Sequence, residues 1–111
     1  MVSFGTPAVA YEAPASLRCA FGFRCIEARC EYHEAHAELA LTGTQDITGF
    51  VALNGKTHPA QGNMEPEMLS LAFSDPNTAR FLTVHQDGRA MMRLLAPPLR
   101  SLFLGNCKEV E

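Results

Sequence analysis

The chain has 111 residues, 47% of them hydrophobic, and a formal net charge of −3. This length and composition predict one domain with a sizeable core, and they exclude a disordered chain or a multidomain protein. The lysines and arginines are scattered singly, so we expect no nucleic-acid partner and no basic membrane-binding segment, and no apolar run is long enough to predict a membrane span.

Residues 1–16 predict an irregular N-terminal lead-in, and residues 17–111 predict the single domain that follows it. The tripeptide Ala8-Val9-Ala10 has the small-x-small form that precedes a signal-peptidase cut. Because the residues before it lack the charged start and apolar core of a whole signal peptide, the segment is either a remnant of an export signal or an ordinary alanine-rich terminus.

The first predicted strand carries the clearest alternation in the sequence. Leu17, Cys19, Phe21 and Phe23 alternate with mostly polar or small residues, which predicts one buried face shared by these four side chains. A corner that contains two further cysteines follows, through about Tyr32.

Seven more segments predict strands by the same alternation and by the turn signals between them. The segment 34–41 also fits a helix, but Thr42-Gly43-Thr44 ends it after a length at which a helix is marginal. The segments are 34–41, 47–53, 56–60, 68–74, 79–86, 89–95 and 99–104.

Turn residues connect these strands. Asn54-Gly55 is a strong hairpin signal, and Pro59 in the returning segment indicates an edge or a strand end. Asp75-Pro76-Asn77 predicts a type I turn, Pro97-Pro98 breaks the chain before the last strand, and 61–66 predicts a loop. A two-residue turn at Asp87-Gly88 would place Val84 opposite Met91 and Phe81 opposite Leu94.

The predicted fold class is therefore all-β, a small antiparallel β-barrel or sandwich of about eight short strands. Closure into a barrel would also remove the exposed strand edges that promote aggregation. It would place the first and last strands side by side.

Four cysteines in a small chain favour two disulfides and a periplasmic or secreted location. We expect the pairs Cys19–Cys107 and Cys25–Cys30, because adjacent first and last strands bring the first pair within reach and a tight corner brings the second. Pairing Cys19 with Cys25 would fold the opening strand against itself. Pairing Cys19 with Cys30 and Cys25 with Cys107 remains open, since a hairpin could align residues 19 and 30.

Other chemistry-bearing residues give weaker signals. Cys25, Cys30, His33 and His36 are zinc-type ligands, but their spacing lacks the usual Cys-x2-Cys knuckle, so we expect a disulfide, no metal and no cofactor. His58, after the Asn-Gly turn, is interpreted as a solvated hairpin residue. We recognise no Ser-His-Asp set, nucleophile elbow or P-loop motif in the sequence, so we expect no catalytic residues.

The cysteine-bearing first strand, the strand rhythm and the late Cys107 resemble small periplasmic or secreted β-barrel proteins of Gram-negative bacteria. Among families of known activity, the chain distantly resembles the periplasmic inhibitors of c-type lysozyme, in which an early and a late cysteine tie a barrel. The resemblance implies a binding or inhibitory role. It covers Cys19, Cys107 and the strand pattern, and because no Ser-Gly pair occurs in the sequence, it assigns no inhibitory residue.

The predicted function is a binding or inhibitory module of the cell envelope without catalytic activity, because a compact β-scaffold presents loops and surfaces to partners. The alternative is a carrier that holds a small apolar ligand inside the barrel. The expected partner is an unknown protein or small ligand. A filled interior would favour the module, and a hollow one would favour the carrier.

Overall fold

The computed structural model describes residues 15–75, 78–96 and 99–110. Within them every element is a strand, and each strand pairs antiparallel with the next while β1 also pairs with β8, so that the sheet closes into a barrel. The predicted all-β barrel is confirmed. The strands are β1 Ala15–Ile26, β2 Arg29–Thr42, β3 Asp46–Leu53, β4 Lys56–Glu65, β5 Met68–Asp75, β6 Thr78–His85, β7 Arg89–Ala96 and β8 Leu99–Glu109.

Most of the predicted lead-in, including Ala8-Val9-Ala10, lies outside the described residues, and so do Pro76, Asn77 and the Pro97-Pro98 pair. β1 begins at Ala15, two residues before the predicted strand. In the part of the chain that the structure describes, no helix has the length and apolar character needed to cross a bilayer.

Alternate side chains of every strand point inward and form one core. The most deeply buried of them have less than 2% of their surface exposed, so other protein atoms enclose them on every side. A solvent-sized chamber beside these side chains would leave part of their surface accessible, so the part of the barrel interior that these described residues line is filled. These most deeply buried side chains are Leu17, Cys19, Phe21, Val51, Leu69, Leu82, Val84 and Met92.

A β-bulge divides β1. Between Phe21 and Phe23 the pairing advances two residues along β1, but three along β2 and only one along β8. The extra residue is therefore in β2 on one side, and opposite β8 it is Gly22 of β1. The extra residue reverses which side chains face inward. Phe21 is buried, whereas Phe23 is 52% exposed on the outside of the barrel. The prediction that Phe23 shares a buried face with Cys19 and Phe21 is wrong for this reason.

Both predicted disulfides are present and lie across neighbouring strands. Cys19 of β1 is directly opposite Cys107 of β8, with Cα atoms 3.9 Å apart, and this bond ties the first strand to the last. Cys25 is opposite Cys30 across the β1–β2 hairpin, also with Cα atoms 3.9 Å apart. The alternative pairing of residues 19 with 30 and 25 with 107 is excluded by this register.

Two hairpins turn through a pair of residues with positive φ. The predicted Asn54-Gly55 turn is confirmed, since the φ angles are 52° and 79° and Leu53 pairs with Lys56. The β1–β2 turn has the same form with the unusual residues Glu27 and Ala28, whose φ angles are 47° and 69°. The sequence gives no signal for this second turn because neither residue is typical of it.

The predicted register of β6 and β7 is wrong by one residue. Val84 pairs with Ala90, and Phe81 pairs with Arg93. The turn contains three residues rather than two, because Gly88 has a φ of 95° and its N–H donates to the carbonyl of His85 at 2.9 Å, which is typical of a type I turn with a bulge. This shift places Met92 in the core and turns Arg93 outward.

Asp87 stabilises the same turn. The backbone N–H of Arg89 donates to its Oδ1 at 3.0 Å, and Arg89 Nε donates to its Oδ2 at 2.7 Å. The backbone hydrogen bond, followed by the side-chain bond and the nearby positive charge of Arg89, lowers the pKa of the Asp87 carboxyl below its ordinary value.

The segment 61–66, predicted to be a loop, is mostly strand. β4 continues to Glu65 and pairs with β5 from Ala60 onward, and Pro59 lies one residue outside that ladder. Gly62 permits the continuation, because a Cβ atom at this position would lie 1.7 Å from the carbonyl oxygen of Ser70 on β5. The polar side chains that suggested a loop face outward from the barrel.

Candidate functional site

The structure does not bring together as metal ligands the four zinc-type residues of the sequence, Cys25, Cys30, His33 and His36. Cys25 and Cys30 are joined in a disulfide, so neither offers a thiolate. The two nearby histidines also lie on opposite faces of β2. The His33 ring lies 5.5 Å from the ring of Phe103 on the inner side, while His36 contacts Glu34 at 3.1 Å outside. No group of three potential metal ligands occurs among the described residues.

The prediction that His58 is solvated is wrong. Only 8% of its surface is exposed, and its ring stacks on that of Phe73 with centroids 5.9 Å apart. The position of the Asn54-Gly55 turn fixes which alternate residues of β4 face inward, and His58 is one of them. His85 is half-buried, and it ends β6 on the outward side shared with Phe81 and Thr83. The two histidines are therefore separated by the barrel wall.

The outside of the barrel carries a continuous stretch of apolar side chains, which we call the outer apolar face. It spans β1, β2, β6, β7 and β8, and the strand register aligns its members. One row runs from Tyr32 through Phe23 and Leu104 to Met91. A second row runs from Cys25 through Leu102 and the charged Arg93 to Phe81. The members are Phe23, Tyr32, Phe81, Met91, Leu95, Leu102 and Leu104.

The face is exposed to an unusual degree for such large side chains. Tyr32 is 75% exposed, and Phe81 and Leu95 are about two-fifths exposed, while Met91, Leu102 and Leu104 are half-buried. Scattered exposed apolar residues are common on protein surfaces, but neighbouring ones that form a patch mark binding surfaces. Phenylalanine, tyrosine and methionine are also the residues enriched at protein interfaces.

One positive charge lies within this face. Arg93 is flanked by Leu102 and Phe81 on the neighbouring strands and by Met91 and Leu95 on its own strand. Its side chain is exposed, and none of the ion pairs between described residues includes it. The guanidinium therefore presents its donors to solvent from within a ring of apolar groups.

Some charged groups elsewhere on the outer wall are paired with one another. Arg18 on β1 lies 3.6 Å from Glu38 on β2, and His36 contacts Glu34 on the same side of the barrel. These exposed pairs satisfy one another locally and add little stability. Because Arg93 is exposed and has no such pair among the described residues, its guanidinium is available for an external anionic group.

The tip of the β1–β2 hairpin holds one end of the face in a fixed shape. Phe23 and Tyr32 are opposite each other, and their rings meet edge to face with centroids 6.3 Å apart. The Cys25–Cys30 disulfide crosses the hairpin on the same side, two residues further along each strand. Arg24 Nη2 donates to Glu31 Oε1 at 2.6 Å on the other side of this hairpin.

Sequence reasoning missed the outer apolar face because the side assigned to each residue depended on the register. The bulge at Gly22 turns Phe23 outward, and the three-residue turn before Arg89 turns Arg93 and Leu95 outward. A glycine inside a strand is itself a signal for a bulge, and it is the sequence feature that could have indicated the change.

The outer apolar face can bind by dispersion and desolvation, with one charge-assisted hydrogen-bonding group at its centre. This is the chemistry of recognition. Comparison with known proteins found no family model, no curated protein and no solved structure that matches this chain.

Proposed function

We propose that this protein is a non-catalytic binding or inhibitory module of the periplasm or the extracellular space, and that it captures a protein partner through the outer apolar face. The observation that carries the proposal is the alignment of seven exposed or half-buried apolar side chains on one side of a closed barrel. Such a patch costs solubility unless a partner covers it.

The interior supports a binding surface over an internal carrier site. The side chains in the middle of the barrel are enclosed by protein atoms, so an apolar ligand would have to displace them. The outer face needs no such rearrangement. Its fixed hairpin tip also reduces the conformational entropy that binding would cost.

The cysteines support the proposed location. Both pairs are oxidised, and such bonds persist in the periplasm and outside the cell, whereas cytosolic thiols are kept reduced. The disulfides are compatible with export. The finer assignment to the cell envelope is part of the proposal.

The experiment is affinity capture on immobilised protein from the cell-envelope or secreted fraction, followed by identification, purification and titration of the partner. Tyr32→Ala and Phe23→Ala are expected to weaken binding about tenfold or more, as at interface hot spots. Phe50→Ala is the matched control, because Phe50 is 53% exposed but lies on β3, outside the face. Equal losses in all three variants would contradict the proposal.

One defined partner can be tested at once. Because the sequence resembles periplasmic inhibitors of c-type lysozyme, a purified c-type lysozyme is the first protein to titrate. Stoichiometric inhibition that is lost in Phe23→Ala and kept in Phe50→Ala would support the proposal and identify the partner. A lysozyme that is neither bound nor inhibited would remove this partner, and the capture experiment would then decide the proposal.

A further inference from the structure

A groove crosses the outside of the barrel over β4, β5, β6 and β7, next to the outer apolar face. Three outward residues of β5, Ser70, Ala72 and Ser74, are small, and the first two form the floor of the groove. Gln61 rises on the β4 side, and Phe81 rises on the β6 side. Small residues between larger ones in register produce this depression, whose volume is about 440 Å³, within the range of small-molecule sites.

The charge of the residues that line the groove determines whether it favours an anionic or a cationic ligand. Arg93 is the one charged residue that lines it among the described residues, and no carboxylate does. A second groove of about 460 Å³ shares Gln61, Ala72 and Phe81 with it and extends the depression. In a protein with a net charge of −3, a groove that has Arg93 and no acidic residue among its described lining residues favours an anion.

The remaining lining groups define the rest of the ligand. Phe81, Leu95 and Ala72 offer apolar contact, and Asn63, Ser70 and Thr83 lie in one row along the floor with groups that can form hydrogen bonds. The guanidinium of Arg93 can hold a carboxylate through two parallel hydrogen bonds. Because Phe81 lies directly opposite Arg93, a ligand bound there would have its apolar part against the ring and its head at the arginine.

We infer that this groove is a binding site for a small amphiphilic carboxylate, with its head on Arg93 and its apolar chain along Phe81 and Ala72. The inference goes beyond the proposed function and does not depend on a protein partner. The half of the groove formed by Gln61, Ser70 and Ala72 lies outside the outer apolar face. Variants in that half therefore separate the two proposals.

The test uses decanoate as the probe, with decyltrimethylammonium and decanol as matched ligands of opposite and zero charge. Titration of the isotope-labelled protein is followed by amide chemical shifts. Saturable shifts at residues 72, 81 and 93 are expected with decanoate, and about tenfold weaker binding is expected for the cation, since one charge-assisted hydrogen-bonding group is worth about that factor.

Two variants test the two halves of the ligand. Arg93→Gln is expected to weaken decanoate binding about tenfold and to leave decanol binding unchanged, because it removes the charge but retains a polar side chain. Ala72→Leu raises the floor and is expected to weaken both ligands. Lys56→Gln removes an exposed charge at the distant Asn54-Gly55 turn and serves as the control.

The inference would be overturned by equal affinity for decanoate and its cationic counterpart, or by unchanged decanoate binding in Arg93→Gln. Shifts confined to core residues or to the hairpin tip, or no saturable shifts, would overturn it as well. If decanoate fails while a protein partner still requires Tyr32 and Phe23, the carboxylate site is refuted and the proposed function stands.

Discussion

The two halves of strand β1 resemble each other in sequence and differ in structure. Before the bulge, Cys19 and Phe21 are buried in the core, and Cys19 joins the last strand. After the bulge, Phe23 is on the outer surface, and Cys25 joins the neighbouring strand of the same hairpin. Because of this one extra residue, Cys19 and Phe21 stabilise the core. Phe23 and Cys25 instead fix the shape of the outer surface.

The largest effect is expected from the disulfide of the first half. Replacing the pair with C19A/C107A should lower the free energy of unfolding by about 4–5 kcal/mol in the chain-entropy model, because the bond closes a loop with a sequence separation of 88 residues. Urea unfolding of the purified variant measures the loss. A loss no larger than that of the second disulfide would contradict the distinction between the halves.

The next largest effect is expected from the two phenylalanines on either side of the bulge, whose replacement should lower the free energy of unfolding by different amounts. Phe21→Ala removes a buried ring that lies 6.4 Å from that of Phe103, and it should cost about 3–5 kcal/mol. Phe23→Ala should cost less than about 1.5 kcal/mol, because half of the ring is already in solvent and its main contact is Tyr32. Similar losses in urea unfolding would show that the bulge does not separate core from surface.

The disulfide of the second half is expected to matter less and to act locally. Cys25 and Cys30 are five residues apart in sequence, so C25A/C30A should cost about 2 kcal/mol in the same model. Hydrogen exchange should become faster in residues 23–32, while the amides of β4 to β7 remain protected. Faster exchange throughout the barrel would indicate that this bond also stabilises the core.

The strand pattern and the cysteine pairing could be predicted because both depend on local or topological rules. Alternation marks strands, Asn54-Gly55 sets a turn, and closure of the sheet brings Cys19 to Cys107. These features do not need the face of each side chain to be known, and the structure confirms them.

The faces of individual residues were harder to predict, because each depends on counting through irregular positions. The bulge turns Phe23 outward, the three-residue turn shifts the side on which Arg93 lies, and β4 continues through polar residues that resemble a loop in sequence. His58 was misassigned because a histidine near a turn is usually solvated, whereas here the ring of Phe73 covers it. The outer apolar face depends on these positions, so the sequence did not indicate it.

The last prediction concerns the turn that ends the second half of β1. Ala28 has a φ of 69°, a region that costs a residue with a Cβ atom about 1–2 kcal/mol and costs glycine little. Ala28→Gly should therefore raise the free energy of unfolding by about 1 kcal/mol, less than the relief of strain because glycine also gains freedom in the unfolded chain. Its urea midpoint should rise with an unchanged slope.

Ala20→Gly is the matched control, because Ala20 is an exposed residue of the same strand whose φ is not positive. There the substitution gives no relief of strain and should lower stability by about 0.5–1 kcal/mol. Opposite signs for the two variants would show that the Glu27-Ala28 turn stores backbone strain at Ala28. If both variants lose stability, the turn is not strained, and the fixed shape of the hairpin tip must come from Phe23, Tyr32 and the disulfide alone.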